Sequence, residues 1–207
     1  MSLSLIIGSR ASFLAKIQSF IVKQELQKKF KNIKFITKYH STKGDKNLGQ
    51  APWKNLGYGI FTTSLTKELV NKHFNCVVHS YKDLPVLKSK TDYFTITRDD
   101  PRDILLIKKK SLNKKKLIIG TSSPRRKSSV RDLKDLIGVK NLETKIIRGN
   151  VTSRLLKVIS KNEYDAVFMA KAAIDRIFKY GNKVNKIDTK RFLILFKKFK
   201  PFILPLS

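Results

Sequence analysis

Short apolar, β-branched runs alternate with stretches of helical periodicity along most of this chain, and that alternation restricts its fold more than any other feature. Leu5 to Gly8 reads as a strand. Ala11 to Phe30 places apolar residues at 13, 14, 17, 20, 21 and 26, one helical stripe. Ile33 to Tyr39 alternates as a strand, His40 to Gly59 is glycine-rich loop, and Ile60 to Lys72 reads as a helix. Cys76 to Ser80 and Tyr93 to Thr97 are read as strands. Further on, Ile104 to Ile107, Leu117 to Gly120, Thr144 to Arg148 and Asp165 to Met169 read as strands, with helices over Val151 to Ile159 and Lys171 to Phe178. Ser122-Ser123-Pro124 opens another helix, with an N-cap serine followed by proline at the first helical position. Asp99-Asp100-Pro101-Arg102-Asp103 interrupts the pattern with charges and a proline. The expectation is an α/β protein of two lobes, 1–98 and 104–187, joined by a hinge at 99–103.

Composition narrows the function. The chain has 207 residues, 41% of them hydrophobic, enough for one large or two small domains. It has one cysteine, Cys76, which excludes an internal disulfide and a cysteine-built metal site within one chain. His40, His73 and His79 have no metal-ligand spacing, so no metal is expected. No apolar run is long enough for a bilayer and no secretory pattern opens the chain, so a cytoplasmic location is expected. The net charge of +30 admits a polyanionic partner or simple compositional drift toward lysine. The lysines are scattered through every segment, which favours drift for most of them.

The arginines are placed differently. Arg10 follows the first strand at the turn into the first helix. Arg125 and Arg126 lie in the first turn after Ser123, Arg148 ends a strand, and Arg154 lies one turn into the next helix. Cations at a helix N-terminus oppose the helix dipole, so helix stability does not explain them. An anion held between arginines and free backbone N–H groups does.

The motifs at these junctions resemble hydroxymethylbilane synthase, the porphobilinogen deaminase family. They are Ile7-Gly8-Ser9-Arg10 with Ala11 to Ala15, Ser41-Thr42-Lys43-Gly44-Asp45, Gly57-Tyr58-Gly59-Ile60-Phe61-Thr62, and Val78-His79-Ser80-Tyr81-Lys82-Asp83-Leu84-Pro85. Arg98 to Asp103, Gly120-Thr121-Ser122-Ser123-Pro124-Arg125-Arg126 and Arg148-Gly149-Asn150-Val151-Thr152-Ser153-Arg154-Leu155 complete the set. Their order is similar to that of the family's first two domains. The resemblance implies two lobes like type II periplasmic binding protein domains, with the family's third, α+β domain absent and 188–207 a truncated return segment.

The resemblance also implies a chemistry. The family condenses four porphobilinogens head to tail with release of ammonia, on a dipyrromethane cofactor held by a cysteine thioether. Porphobilinogen and the growing polypyrrole are polycarboxylates. Arg10, Arg125, Arg126, Arg148, Arg154 and Arg176 would then bind carboxylates, with Lys82 as a further charge. Ser80, Thr121, Ser122 and Ser123 would donate hydrogen bonds to them. Asp83 would be catalytic, stabilising the cation left by loss of ammonia, and would be the one acidic point among these basic residues. His79 is expected to pack or hydrogen-bond, and Tyr58 stands where the family usually has a basic residue.

The family's cofactor cysteine has no counterpart. Cys76, inside an apolar strand, reads as a buried structural thiol. A separate polypeptide supplying the third domain, a reduced enzyme without a covalent anchor, and a degenerate remnant are the expectations left open. A non-catalytic two-lobed carboxylate-binding protein is the alternative class. Nucleic-acid binding ranks last, because the phenylalanines fall at core-periodic positions.

Overall fold

The computed structural model of the chain describes residues 3–41, 62–84 and 91–205. The Thr42-to-Asp45 and Gly57-to-Phe61 motifs, Tyr58 and Pro85 lie outside the described residues. The fold is mixed α/β and divides into two units, Met1–Thr97 and Arg98–Ser207.

In the first unit, β1 (Ser4–Arg10) is the middle strand of a parallel sheet, between β2 (Lys34–His40) and β3 (Cys76–Val78). The register sets Arg10 opposite His40 and Ser9 opposite Val78. The connections are α1 (Phe13–Lys29) and α2 (Thr63–Val70). Ile7 on β1, Ile17 on α1, Phe35 on β2, Leu65 on α2 and Phe74 form the buried interior. The expected strand at Tyr93 to Thr97 does not form: the segment is exposed and carries no sheet pairing. Alternating Phe94 and Ile96 give the pattern, but a strand also needs a neighbour to take its N–H and C=O groups.

The second unit has a five-stranded sheet, β6-β5-β7-β4-β8. Its strands are β4 (Asp103–Lys108), β5 (Lys116–Gly120), β6 (Asn141–Lys145), β7 (Ala166–Ala170) and β8 (Phe199–Ile203). The helices are α3 (Pro124–Ser128), α4 (Val130–Ile137), α5 (Val151–Ser160), α6 (Lys171–Val184) and α7 (Lys186–Phe196). β5, β6 and β7 run parallel, and β4 runs antiparallel to both β7 and β8. Leu105, Ile107, Leu117, Ile119, Ala166 and Phe168 supply the sheet's share of the core. β6-β5-β7 repeats the second-first-third order of β2-β1-β3, although no repeat is evident in the sequence.

Two elements depart from expectation. The strand expected at Thr144 to Arg148 lies earlier, at Asn141–Lys145, because pairing with β5 aligns Lys116 with Asn141; Ile146 is left exposed. The expected return segment is instead α7, capped by Asn185, and β8, which pairs with β4 inside the second unit.

Candidate functional site

The chemistry-bearing residues gather where parallel strands end, the position at which α/β sheets bind ligands. In the first unit β1 ends at Arg10, and β3 leads through His79 and Ser80 into a turn of 3₁₀ helix over Tyr81–Asp83. Arg10 Nη1 lies 3.9 Å from Asp83 Oδ2, with both side chains about four-fifths buried, at 18% and 23% exposure. His79 lies beside them with a buried Nε2 that has no hydrogen-bond partner. Burial pushes the His79 imidazole down, Asp83 pushes it up, and Arg10 pushes it down again, for a net lowering. Ser80 exchanges hydrogen bonds with Gln18 of α1, whose Nε2 donates to Ser80 Oγ at 2.9 Å. Lys82 is exposed in the turn. Gln18 was not singled out from sequence, since a glutamine on a helical face carries no signal by itself.

In the second unit β5 ends at Gly120, where the chain passes close to the loop after β6. A Cβ at Gly120 would meet Ile147 Cγ2 at 2.8 Å, so only glycine lets the two segments approach. The hydroxyls of the following loop fasten it. Thr121 Oγ1 accepts from the Ser123 N–H at 3.2 Å, and Ser122 Oγ donates to the Ile147 carbonyl at 2.5 Å. The Ser122 hydroxyl donates here to the loop, and donation to a ligand carboxylate would require it to rotate away from Ile147. Ser123 caps α3, accepting from the Arg126 N–H at 3.5 Å. After β6, Gly149 adopts φ 121°, and a side chain there would collide with Ser153. Asn150 then caps α5, its Oδ1 accepting from the Ser153 N–H at 2.8 Å. Arg148 and Arg154 flank this turn.

The arginines have internal partners that were not anticipated. Arg125 Nη2 donates to Asp103 Oδ2 at 2.6 Å, and Arg126 Nη2 donates to Asp103 Oδ1 at 2.8 Å. α3 is only five residues long, so a helix dipole contributes little there; Asp103 is what holds this cation pair. Arg176, on α6, donates to Asp99 Oδ2 through Nε at 2.6 Å and Nη2 at 2.5 Å. Asp100 takes Arg102 bidentately and Lys171 at 3.4 Å. The Arg102 hydrogen bond holds the Asp100 carboxyl well below the usual carboxylate range. Asp83 is therefore not the one acidic group among these basic residues. The 99–103 segment, expected as a hinge, is tied by its three aspartates to cations of the second unit.

Charge compensation is incomplete. Arg154 pairs with no carboxylate among the described residues, and burial followed by the nearby Arg126 charge pushes its guanidinium down. The Nε atoms of Arg126 and Arg154 are buried without a partner. Such donors suit an anion with several acceptor oxygens. Among the described residues no cluster of His, Cys, Asp and Glu could hold a metal, and no helix is long and apolar enough to cross a membrane.

Residues 5–196 match the family described as porphobilinogen deaminase, dipyromethane cofactor binding domain. The chain belongs to the porphobilinogen deaminase family. It is 35% identical over 199 residues to a protein of Picrophilus torridus named as a probable porphobilinogen deaminase, and that match covers 94% of this chain and 64% of the relative. It is also 35% identical over 192 residues to the porphobilinogen deaminase of Nostoc sp., covering 89% of this chain and 57% of the relative. The chain thus spans about three-fifths of the length of the deaminases it matches. Among solved structures, HinK, a LysR family transcriptional regulator from Pseudomonas aeruginosa, aligns with TM-score 0.50 at 7% identity, covering 100% of this chain and 59% of that one. That likeness concerns the α/β fold alone.

Proposed function

We propose that this chain acts as a hydroxymethylbilane synthase, joining four porphobilinogens head to tail into a linear tetrapyrrole with release of ammonia. The observation that carries the reading is Asp83, set at the carboxyl edge of the first sheet with Arg10 Nη1 at 3.9 Å, in a chain of this family. Departure of ammonia from porphobilinogen leaves a cation delocalised over the pyrrole. A carboxylate near the pyrrole N–H stabilises that charge and can relay the proton lost when the new bond forms. An ion pair as long as that of Asp83 with Arg10 restrains the carboxylate while leaving its lone pairs for an N–H donor.

In the second unit the reading assigns Arg125, Arg126, Arg148 and Arg154, with Thr121 and Ser123, to acetate and propionate side chains. Arg176, in the same unit, is assigned to a ligand carboxylate by exchanging Asp99 for it, and in the first unit Ser80 and Lys82 are assigned to carboxylates of the ligand. The unpartnered Nε atoms of Arg126 and Arg154 support it, because a polycarboxylate would satisfy them. The same donor set fits dipyrromethane, which when bound supplies the pyrrole carbon from which the chain grows. Cys76 is a poor anchor for it, since burial pushes its thiol up and disfavours the thiolate. The reading carries with it a cytoplasmic location.

The test is to give the purified chain porphobilinogen and follow ammonia release together with intact mass. Ammonia release that is abolished in a folded Asp83→Asn variant is the expected result. Binding of porphobilinogen without ammonia release would instead favour a non-catalytic carboxylate-binding protein. Intact mass separates the two ways of holding the cofactor. An adduct on this chain points to Cys76, whereas turnover without one points to retention by the arginines or to a second polypeptide.

A further inference from the structure

We propose that Asp103 is a positioning residue, which orients Arg125 and Arg126 and sets the charge that the second unit offers to a ligand; this rests on the assignment of those arginines to carboxylates. Topology puts it there. β4 runs antiparallel to β7, with Asp103 opposite Ala170, so the first residue of β4 lies at the same edge where β5 and β7 end. Its backbone is held as well, the Asp103 carbonyl accepting from the Leu204 N–H at 3.0 Å. The side chain is only 9% exposed and gives one oxygen to each arginine, Oδ2 to Arg125 and Oδ1 to Arg126.

The consequence is a defined charge balance. Arg125, Arg126 and Arg154 share this edge, and Arg126 and Arg154 repel one another. Asp103 lowers that repulsion and turns the Arg126 fork by engaging Nη2, with Nε left buried and unpartnered. Three guanidiniums against one carboxylate leave this edge net cationic, which suits a pyrrole bearing one acetate and one propionate.

Asp103→Asn in the full chain separates positioning from bulk electrostatics. The substitution makes the chain more positive, so charge alone predicts tighter porphobilinogen binding. Positioning predicts binding weaker by about tenfold or more, with loss of the ordered Nη–H resonances of Arg125 and Arg126 that donate to Asp103. In an Arg126→Gln background the same substitution adds little further loss. Should Asp103→Asn not fold, Asp103→Glu retains the charge but displaces the oxygens, and its affinity should still fall while its net charge is unchanged. Equal or tighter binding with unaltered arginine resonances overturns the proposal. If the wild-type chain does not bind porphobilinogen at all, the carboxylate reading fails. The arginine resonances then decide Asp103 by themselves, and no change in them on substitution overturns its role.

Discussion

Asp165 and Ile118 bond one another twice: the Asp165 N–H donates to the Ile118 carbonyl at 2.8 Å, and the Ile118 N–H donates to Asp165 Oδ2 at 3.0 Å. The other carboxylate oxygen accepts from Ser111 Oγ and Lys114 Nζ, both at 2.7 Å. With its side chain only 7% exposed, Asp165 locks the approach to β7 against β5. Asp165→Ala would strand the buried Ser111 hydroxyl and the Ile118 N–H and leave Lys114 to solvent, and the expected loss is about 3 kcal/mol, read as a fall in the urea midpoint. A midpoint within experimental error of the parent's would show that water or a neighbour replaces the carboxylate.

Acid should weaken the second unit in part through the two most buried carboxylates among its described residues, Asp165 and Asp103. Burial pushes the Asp165 carboxyl up, but the Lys114 hydrogen bond, the Ile118 N–H and Ser111 outweigh it, and the net direction is down. Burial likewise raises Asp103, and the hydrogen bonds and charges of Arg126 and Arg125 outweigh it. A carboxyl depressed in the folded state contributes stability that is complete above its unfolded value of about 4 and is lost as pH falls through the lower folded value. The urea midpoint should therefore fall on acidification below about pH 4, with a shallower fall in Asp165→Asn or Asp103→Asn. Parallel curves for parent and variants would refute this assignment.

Gly149 and Gly138 make a matched pair. Both have positive φ, 121° and 65°, but a Cβ meets the Ser153 side chain at Gly149 and nothing within 4 Å at Gly138. Gly138→Ala should cost about 1 kcal/mol, the ordinary expense of a left-handed residue. Gly149→Ala should cost more, about 2–3 kcal/mol, and should also weaken porphobilinogen binding, because it moves the turn between Arg148 and Arg154. Urea midpoints and calorimetric affinities on the two variants check both statements.

What sequence made legible was local. Ser123 before Pro124 announces a helix start, and the arginines expected at strand–helix junctions stand at such junctions. What it hid was distant. Asp103 lies 22 and 23 residues from Arg125 and Arg126, and Asp99 lies 77 from Arg176, so a run of charges around a proline reads as a linker. The antiparallel direction of β4, which brings Asp103 to the site, is a property of the assembled sheet. The segment after Asn185 was obscure for a different reason. Phe192 to Phe196 is a run of five apolar residues, which fits a buried helix and a strand equally, and Phe192 and Phe196 pack against Phe178 in the helix that forms.

Asp99 and Asp103 hold arginines in the same unit but should respond oppositely to neutralisation. Asp103 is 9% exposed and Asp99 is 48% exposed on its pair with Arg176. An ion pair that open to water contributes about 0–1 kcal/mol and is screened by salt, so a ligand carboxylate can take its place. Asp99→Asn should leave the urea midpoint nearly unchanged and tighten porphobilinogen binding severalfold at low ionic strength, because Arg176 no longer has an internal competitor. The gain should shrink as salt is raised. Titration calorimetry on parent, Asp99→Asn and Arg176→Gln at two salt concentrations decides it. If Asp99→Asn binds no better than the parent, or if Arg176→Gln leaves affinity intact, Arg176 serves the fold through Asp99 and does not meet the ligand.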